Sequence, residues 1–514
     1  MSTSFPWLTA LLVLPLLGAV ALWALPAGWR GRTRAVALGF ALAELLLAVG
    51  ALLAFDTADA ATFQLLETHR WIPALGVSYA LGVDGVGLAL ILMSVLLVPL
   101  VVLAAWREQG STGAPTDRLR QYLALVLLLE AFIVAVFAAR DVFLFYVVFE
   151  AMLIPVYFMI GMFGGEQRRY AAVKFLLFSL AGGLIMLVGV IALYLNGPGG
   201  PEGFLTANLT GVALDPTLEK WLFVAFFIAF AIKAPMFPVH TWLPDAAQQA
   251  PAGTSTLLVG VLDKVGTFGM LTLCLPLFPA ASRWAAPVVI VLALVSILYG
   301  ALLAIGQKDL MRLVAYTSVS HFGFIVLGIF AFSATSIAGS SFYMVNHGLS
   351  TGGLFLLVGF LAARRGSQQI ADFGGLQKVV PVLAGTFLVI GLSALSLPGL
   401  STFVSEFLVI VGTFTRHPAA AVVASLGVVL AAIYVLWTYQ RVFTGPVRDE
   451  LAGTPDLVAR ERWVVGPLIA VMLVLGFVPG PALDLVRPPA EVSVQQVGVE
   501  PVVPLAGAHE GNDK

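Results

Sequence analysis

Charge is what this chain has least of. Asp, Glu, Lys and Arg make up 11% of its 514 residues, against 60% hydrophobic. That excludes a soluble globular class, in which charged residues average about 25%. The one cysteine, Cys274, excludes a disulfide framework, a thiolate-held iron–sulfur cluster or a zinc ribbon on this chain. There is no basic tract for nucleic acid, and the net charge of −1 hides an uneven distribution of cations. The six histidines show no metal-ligand spacing. No basic residue precedes the first apolar run, MSTSFPWLTALLVLPLLGAV, which therefore reads as a retained span and not as a cleaved signal.

What is present is apolar sequence in lengths suited to a bilayer. With a minimum of about 18 residues per crossing, fourteen spans are expected, near 5–27, 33–55, 83–105, 120–138, 142–163, 171–195, 219–249, 254–277, 285–306, 312–332, 336–362, 379–415, 419–442 and 463–485. The expected fold is all-α and polytopic. Spans seven and twelve are too long for simple crossings. Each contains a break, at Pro235 and Pro238 in one and at Pro398-Gly399 in the other. Between spans two and three, WIPALGVSYALGVDG alternates and turns as a short hairpin outside the membrane would. The tail after Arg487 shows no helical stripe and is expected to be poorly ordered.

The cations orient the chain. With the N-terminus outside, eighteen of the 27 Lys and Arg residues fall in inner loops and seven in outer segments, leaving Lys233 and Lys264 inside spans. A miscounted span would flip every later loop, so the persistent bias argues for both the count and a periplasmic placement of both termini.

An internal repeat is legible. GGLIMLVG at 182–189 matches GGLFLLVG at 352–359 in six of eight positions, and Arg140-Asp141-Val142 before span five resembles Lys308-Asp309-Leu310 before span ten. Five spans separate the copies, and an odd number inverts topology. The chain therefore divides into N-terminal spans one to three with the hairpin (1–118), a first five-helix repeat (spans 4–8, 119–280), an inverted second repeat (spans 9–13, 281–445), and a last span with an outer tail (446–514). The broken spans occupy corresponding places, the transporter arrangement in which ion sites form at discontinuous helices.

Ionisable residues inside the spans are the candidate functional groups, because each is expensive in hydrocarbon. Glu150 stands eight residues into span five, roughly 12 Å down. It reads as a proton-binding carboxylate, or alternatively as a structural one bonded to helix ends or water. Lys233 precedes a break whose freed carbonyls can hold water and accept from an ammonium; the alternative is a lysine snorkelling to the interface. Lys264 sits mid-span, and its neighbour Asp263 points to a different face of the same helix. His240, His321 and His347 fall in or beside spans seven, ten and eleven and titrate in the range a relay needs, although a buried histidine is often only a satisfied hydrogen-bonder. Glu406 follows the break in span twelve. Glu130 and Glu44 are further buried acids, and Asp84, in GVDG, suits a helix cap.

The stretch around Lys233 carries a resemblance. KAPMFPVHTWLPDA at 233–246, followed by APAGTSTLL and a helix with Lys264, resembles the antiporter-like subunits of respiratory complex I. It also resembles their relatives in multisubunit cation/proton antiporters and membrane-bound hydrogenases. The resemblance covers about spans three to thirteen. It implies that Glu150 pairs with Lys233, that Lys264 is the central lysine, and that Asp84 matches a family aspartate. Most such subunits carry lysine where this chain has Glu406, whereas the M-type (ND4-type) complex I subunits carry glutamate, so the resemblance narrows to these. It implies a proton-translocating part of an NADH:quinone oxidoreductase in a bacterial inner membrane, beside L-type and N-type neighbours and lipid. This chain would carry no redox centre, and FMN, iron–sulfur clusters and quinone would belong to partner subunits. The implied path comprises Glu150, Lys233, Lys264, His321, His347 and Glu406, with His240 and Glu130 as possible additions. The alternatives are a subunit of a sodium/proton antiporter or membrane-bound hydrogenase, and a bundle that only anchors other chains.

Overall fold

A computed structural model describes residues 5–108 and 116–500. Helices α1 (Trp7–Trp23) and α2 (Thr33–Ala54) lead into an antiparallel hairpin of β1 (Gln64–Ile72) and β2 (Val77–Val83), in register through Thr68 with Ala80. Then follow α3 (Gly85–Glu108), α4 (Thr116–Ala138), α5 (Val142–Ala151) continued through Met152 into α6 (Leu153–Phe163), α7 (Arg168–Asn196) and the short α8 (Thr206–Leu209). Helices α9 (Pro216–Lys233) and α10 (Trp242–Gln249) flank the first break. Next, α11 (Ala252–Leu257), α12 (Asp263–Gly269) and α13 (Leu275–Leu277) form one rod interrupted by π-turns at Leu258–Leu262 and Met270–Cys274. Helices α14 (Pro279–Ile305), α15 (Leu310–Phe330) and α16 (Ala334–Arg365) follow, then α17 (Pro381–Ala394) and α18 (Ser401–Phe414) around the second break. Helices α19 (Pro418–Phe443), α20 (Ala459–Phe477) and α21 (Gly480–Val497) complete the described chain.

By length and apolarity, ten helices among the described residues can cross a membrane, or eleven if α20 and α21, bent by 68° at Pro479, count as one. The number falls short of fourteen for local reasons. Helix α1 has 17 residues, α9 carries Glu219, Lys220 and Lys233, and each break divides a span into two short pieces.

The helix starts follow from sequence. Pro216, Pro279, Pro381 and Pro418 each occupy the first helical position, where the missing N–H is no loss. Asp141 caps α5 by accepting from the Phe143 and Leu144 amides, and Asp309 caps α15 by accepting from Arg312. The two caps sit in matching frames. Val142 N donates to Phe204 O (2.8 Å) and Thr206 N to Arg140 O (2.9 Å), while Leu310 N donates to Gln368 O (2.9 Å) and Ile370 N to Lys308 O (2.8 Å).

The α11–α13 rod, α15 and α16 are almost wholly covered and form the centre of the bundle. The periphery is apolar in the opposite sense. Leu46 and Leu53 of α2, Leu177 and Val188 of α7, Val288 of α14 and Val429 of α19 are exposed, as suits a lipid-facing surface.

One expectation fails at the C-terminal end. Residues 488–497, expected to be poorly ordered, belong to α21, and the last span ends at Phe477. Pro488 and Pro489 obscured a real stripe: Val486, Pro489, Ala490, Ser493, Val494 and Val497 are buried at helical spacing. Arg283 donates to the Val497 carbonyl and Arg416 to that of Glu500. Residues 501–514 lie outside the described residues.

Candidate functional site

The site grows from the π-turn before α12. There the Asp263 amide bonds Leu258 O instead of Val259 O, so Val259 loses its usual partner. The Lys264 ammonium takes that carbonyl at 2.6 Å and donates to His347 Nδ1, also at 2.6 Å. A helix irregularity thus holds a buried cation that an unbroken helix would leave with fewer acceptors.

From Lys264 a continuous polar row crosses the second half. His347 Nε2 lies 3.0 Å from Ser318 Oγ, and its ring centroid is 5.3 Å from that of His321. His321 Nδ1 is 2.5 Å from the Tyr343 hydroxyl, Tyr434 OH is 3.2 Å from His321 Nε2, and Tyr343 OH donates to Glu406 Oε2 at 3.2 Å. Ser396, whose backbone has φ 62° in the second break, donates to the same carboxylate oxygen. Proton placement is self-consistent: Tyr343 spends its hydrogen on Glu406, so His321 Nδ1–H donates to the Tyr343 oxygen and Nε2 accepts from Tyr434. Lys264, His321, His347, Tyr343 and Glu406 are each at most 3% exposed.

The first half is arranged differently. The Glu150 carboxylate fills the notch at Gly183, where a Cβ would stand 1.7 Å from Oε1, and Oε1 has no hydrogen-bond partner among the described residues. Lys233 ends α9 beside the break; its Nζ is also unpartnered and stands 4.7 Å from the Phe149 ring centroid and 6.0 Å from that of Phe175. The Glu150–Lys233 pair that the resemblance implies is therefore not closed by a hydrogen bond here. Around the break, Ala231 O accepts from Met236 N and Ile232 O from Trp242 Nε1, so the freed carbonyls are taken by protein groups.

The remaining candidates stand apart from this row. His240 is buried among the rings of Phe237, Tyr299 and Tyr316, with Nδ1 unpartnered. Glu130 and Glu44 are wholly buried, with all four carboxylate oxygens unpartnered among the described residues and each within the other's electrostatic reach, in the α2–α4 layer. Asp84 accepts from Gly87 N at 2.8 Å, as a cap does. Near it Arg140 lies over the Phe63 ring, and burial pushes its guanidinium down to about 10, opposed by Asp84. Among the described residues no group of three or more His, Cys, Asp or Glu could hold a metal.

Sequence reasoning missed Tyr343, Tyr434, Ser318 and Ser396. Tyr343 had a readable signal, since it lies four residues before His347 and so shares its helix face.

The comparisons with known proteins bear on this geometry. Residues 139–433, which contain Lys264, His321, Tyr343, His347 and Glu406, match the family described as NADH:quinone oxidoreductase/Mrp antiporter, TM, and residues 46–136 match NADH-ubiquinone oxidoreductase chain 4, amino terminus. NADH-quinone oxidoreductase subunit M of Mycobacterium tuberculosis is 47% identical, over 96% of this chain and 95% of that protein. The chain belongs to the subunit M family. Subunit M likeness extends to structure: a chain of respiratory complex I from Thermus thermophilus superposes with a TM-score of 0.86 at 33% identity, over 96% of this chain and all of that one. A chain of the Mrp complex from Dietzia sp. DQ12-45-1b shares the fold at 22% identity, with a TM-score of 0.83 over 96% of this chain and all of that one.

Proposed function

We propose that this chain is the M-type antiporter-like subunit of a proton-translocating NADH:quinone oxidoreductase, moving protons along a buried Glu/Lys/His axis while quinone is reduced on partner chains. The observation that carries the reading is the buried row from Lys264 through His347, His321 and Tyr343 to Glu406, hydrogen-bonded at every step except the ring contact between the two histidines. A bundle that only anchored neighbours would have no use for five buried polar groups in such a row. The likeness to subunit M at 47% identity favours this reading over an antiporter or hydrogenase subunit. FMN, iron–sulfur clusters and quinone would lie on those partners, with L-type and N-type subunits as neighbours.

The matching frames at Arg140–Val142 and Lys308–Leu310, and the two broken spans, support inverted repeats over 119–280 and 281–445. Counting each broken span as one crossing supports the fourteen-span topology, with both termini on the periplasmic side. In that frame Glu150 and Lys233 accept the charge displacement, Lys264 and the two histidines hold the proton, and Glu406 releases it outward. Moving one proton against 100 mV takes about 2.3 kcal/mol, comparable to changing the environment of one such group by two pKa units at about 1.36 kcal/mol each.

The test has two parts. The chain should co-purify in mild detergent with a large flavin-containing complex that oxidises NADH; elution with small antiporter subunits and no flavin would overturn the assignment. In proteoliposomes Lys264→Ala should assemble but lose pumping, and unchanged proton uptake per NADH would remove the row from the path.

A further inference from the structure

Asp263 has no place in the path above, yet it is wholly buried and neither carboxylate oxygen has a hydrogen-bond partner among the described residues. A carboxylate in such surroundings is expensive unless something charged answers it. Packing identifies what it faces. Gly266, three residues on, backs onto α9, where a Cβ would stand 2.4 Å from Phe230 O and 2.6 Å from Ala234 N. Residues three apart share a helix face. Asp263 therefore lies on the side of α12 packed against the end of α9, whose last residue is Lys233. Lys264 looks the other way: its ammonium bonds His347, and Thr267, three residues on, donates to Met344 Sδ of the same helix α16. Consecutive residues thus address the two halves of the molecule. The Lys233 ammonium, 1% exposed, also has no hydrogen-bond partner, and the charges of Lys233 and Lys264 both reach Asp263. On its other side Lys233 feels Glu150.

We infer that Asp263 is a proton relay between Lys233 and Lys264, joining the first half of the axis to the second; the inference rests on the proton-translocating reading above. In the first step an N–H bond of the Lys233 ammonium breaks and an O–H bond forms on Asp263, leaving a neutral amine and a carboxylic acid. In the second, that O–H bond breaks as the proton passes to a neutral Lys264 amine, which becomes the ammonium held by Val259 O and His347. One proton crosses and no electrons move. The intermediate is neutral on both sides, the form that burial favours. Glu150 and Asp263 then compete for one lysine, so strengthening the Glu150–Lys233 attraction withholds the proton and weakening it lets the transfer proceed.

The experiment uses the assembled complex in proteoliposomes. Asp263→Asn keeps the shape but cannot carry a proton, and protons moved per NADH are expected to fall at least about tenfold, a floor below the roughly 10²–10⁴-fold that a positioned acid–base group contributes, while Asp263→Glu retains most of the yield. An infrared difference spectrum between resting and turning-over complex should show a carboxylic acid C=O band that Asp263→Asn removes. Wild-type pumping by Asp263→Asn, with pumping lost in Lys233→Ala, overturns the relay and leaves the general reading intact. Wild-type pumping by both overturns the general reading itself. Where the asparagine chain fails to assemble, Asp263→Glu decides. Its displaced carboxyl must shift the pH profile of pumping, and an unchanged profile overturns the relay.

Discussion

At the scale of single residues, two positions separate charge from shape. Glu406 accepts from Tyr343 and from Ser396, and glutamine would keep size and acceptor while removing the titrating group. Glu406→Gln should therefore assemble normally and lower protons moved per NADH, with Glu406→Asp retaining much more; equal stoichiometry for the glutamine variant would make Glu406 structural. Gly183 is the second. A methyl there collides with the flexible end of Glu150 and with no backbone, so Gly183→Ala should leave the fold intact and push the carboxylate out of its notch. Membrane levels of the complex should be unchanged while coupled quinone reduction falls. Coupled rates at the wild-type level would show that the notch does not place Glu150. The six candidate residues stood out in the sequence because ionisable groups in apolar runs declare themselves. Tyr343 and Tyr434 were not, because an aromatic in an apolar run looks like core. Only the hydroxyl partners distinguish them.

At the scale of elements, the short helix α10 is the piece most tightly held. Asp245 on it bridges Lys174 of α7 at 2.6 Å and Arg312 of α15 at 2.5 Å, so one carboxylate ties both halves together at the Asp309 end of the bundle. All three side chains are partly covered. Breaking such a partly buried pair by removing one partner costs up to about 3–5 kcal/mol, the figure for full burial. Asp245→Ala should lower the thermal midpoint of the complex more than Lys174→Ala does, because it strands two cations, whereas Lys174→Ala leaves Asp245 paired with Arg312. Equal midpoints would mean that solvent satisfies the freed cations. The breaks and the hairpin were readable in advance, since proline and alternation act locally. The π-turns at Leu258–Leu262 and Met270–Cys274 were not. The first comes with Lys264 claiming the Val259 carbonyl, which no local pattern encodes. The α21 stripe was missed in the tail after Arg487, where the helix runs on through Pro488 and Pro489.

At the scale of the molecule, the cation bias makes a prediction about sidedness. Cysteines introduced in the 446–458 segment should react with a membrane-impermeant thiol reagent only from the cytoplasmic side, and those in the β1–β2 turn only from the periplasmic side. The native Cys274 is buried and should give little background. Labelling of both from one side would overturn the fourteen-span topology. The ten or eleven long apolar helices among the described residues were legible because hydropathy needs no tertiary information, whereas the faces that Asp263 and Lys264 address needed the packing of α9, α12 and α16.

The strap formed by α21 sets an order in time. It lies over the ends of α3, α13 and α14, with Gly85 pressed against Leu485 and Arg283 holding the Val497 carbonyl. Those ends belong to segments synthesised much earlier, since chains emerge from the N-terminus at about 5–20 residues per second. For many seconds the nascent bundle therefore stands with that end uncovered, and its closure waits until α21 has been made. A ribosome stalled before residue 480 would leave an inserted bundle whose first half is built but still open to water at one end.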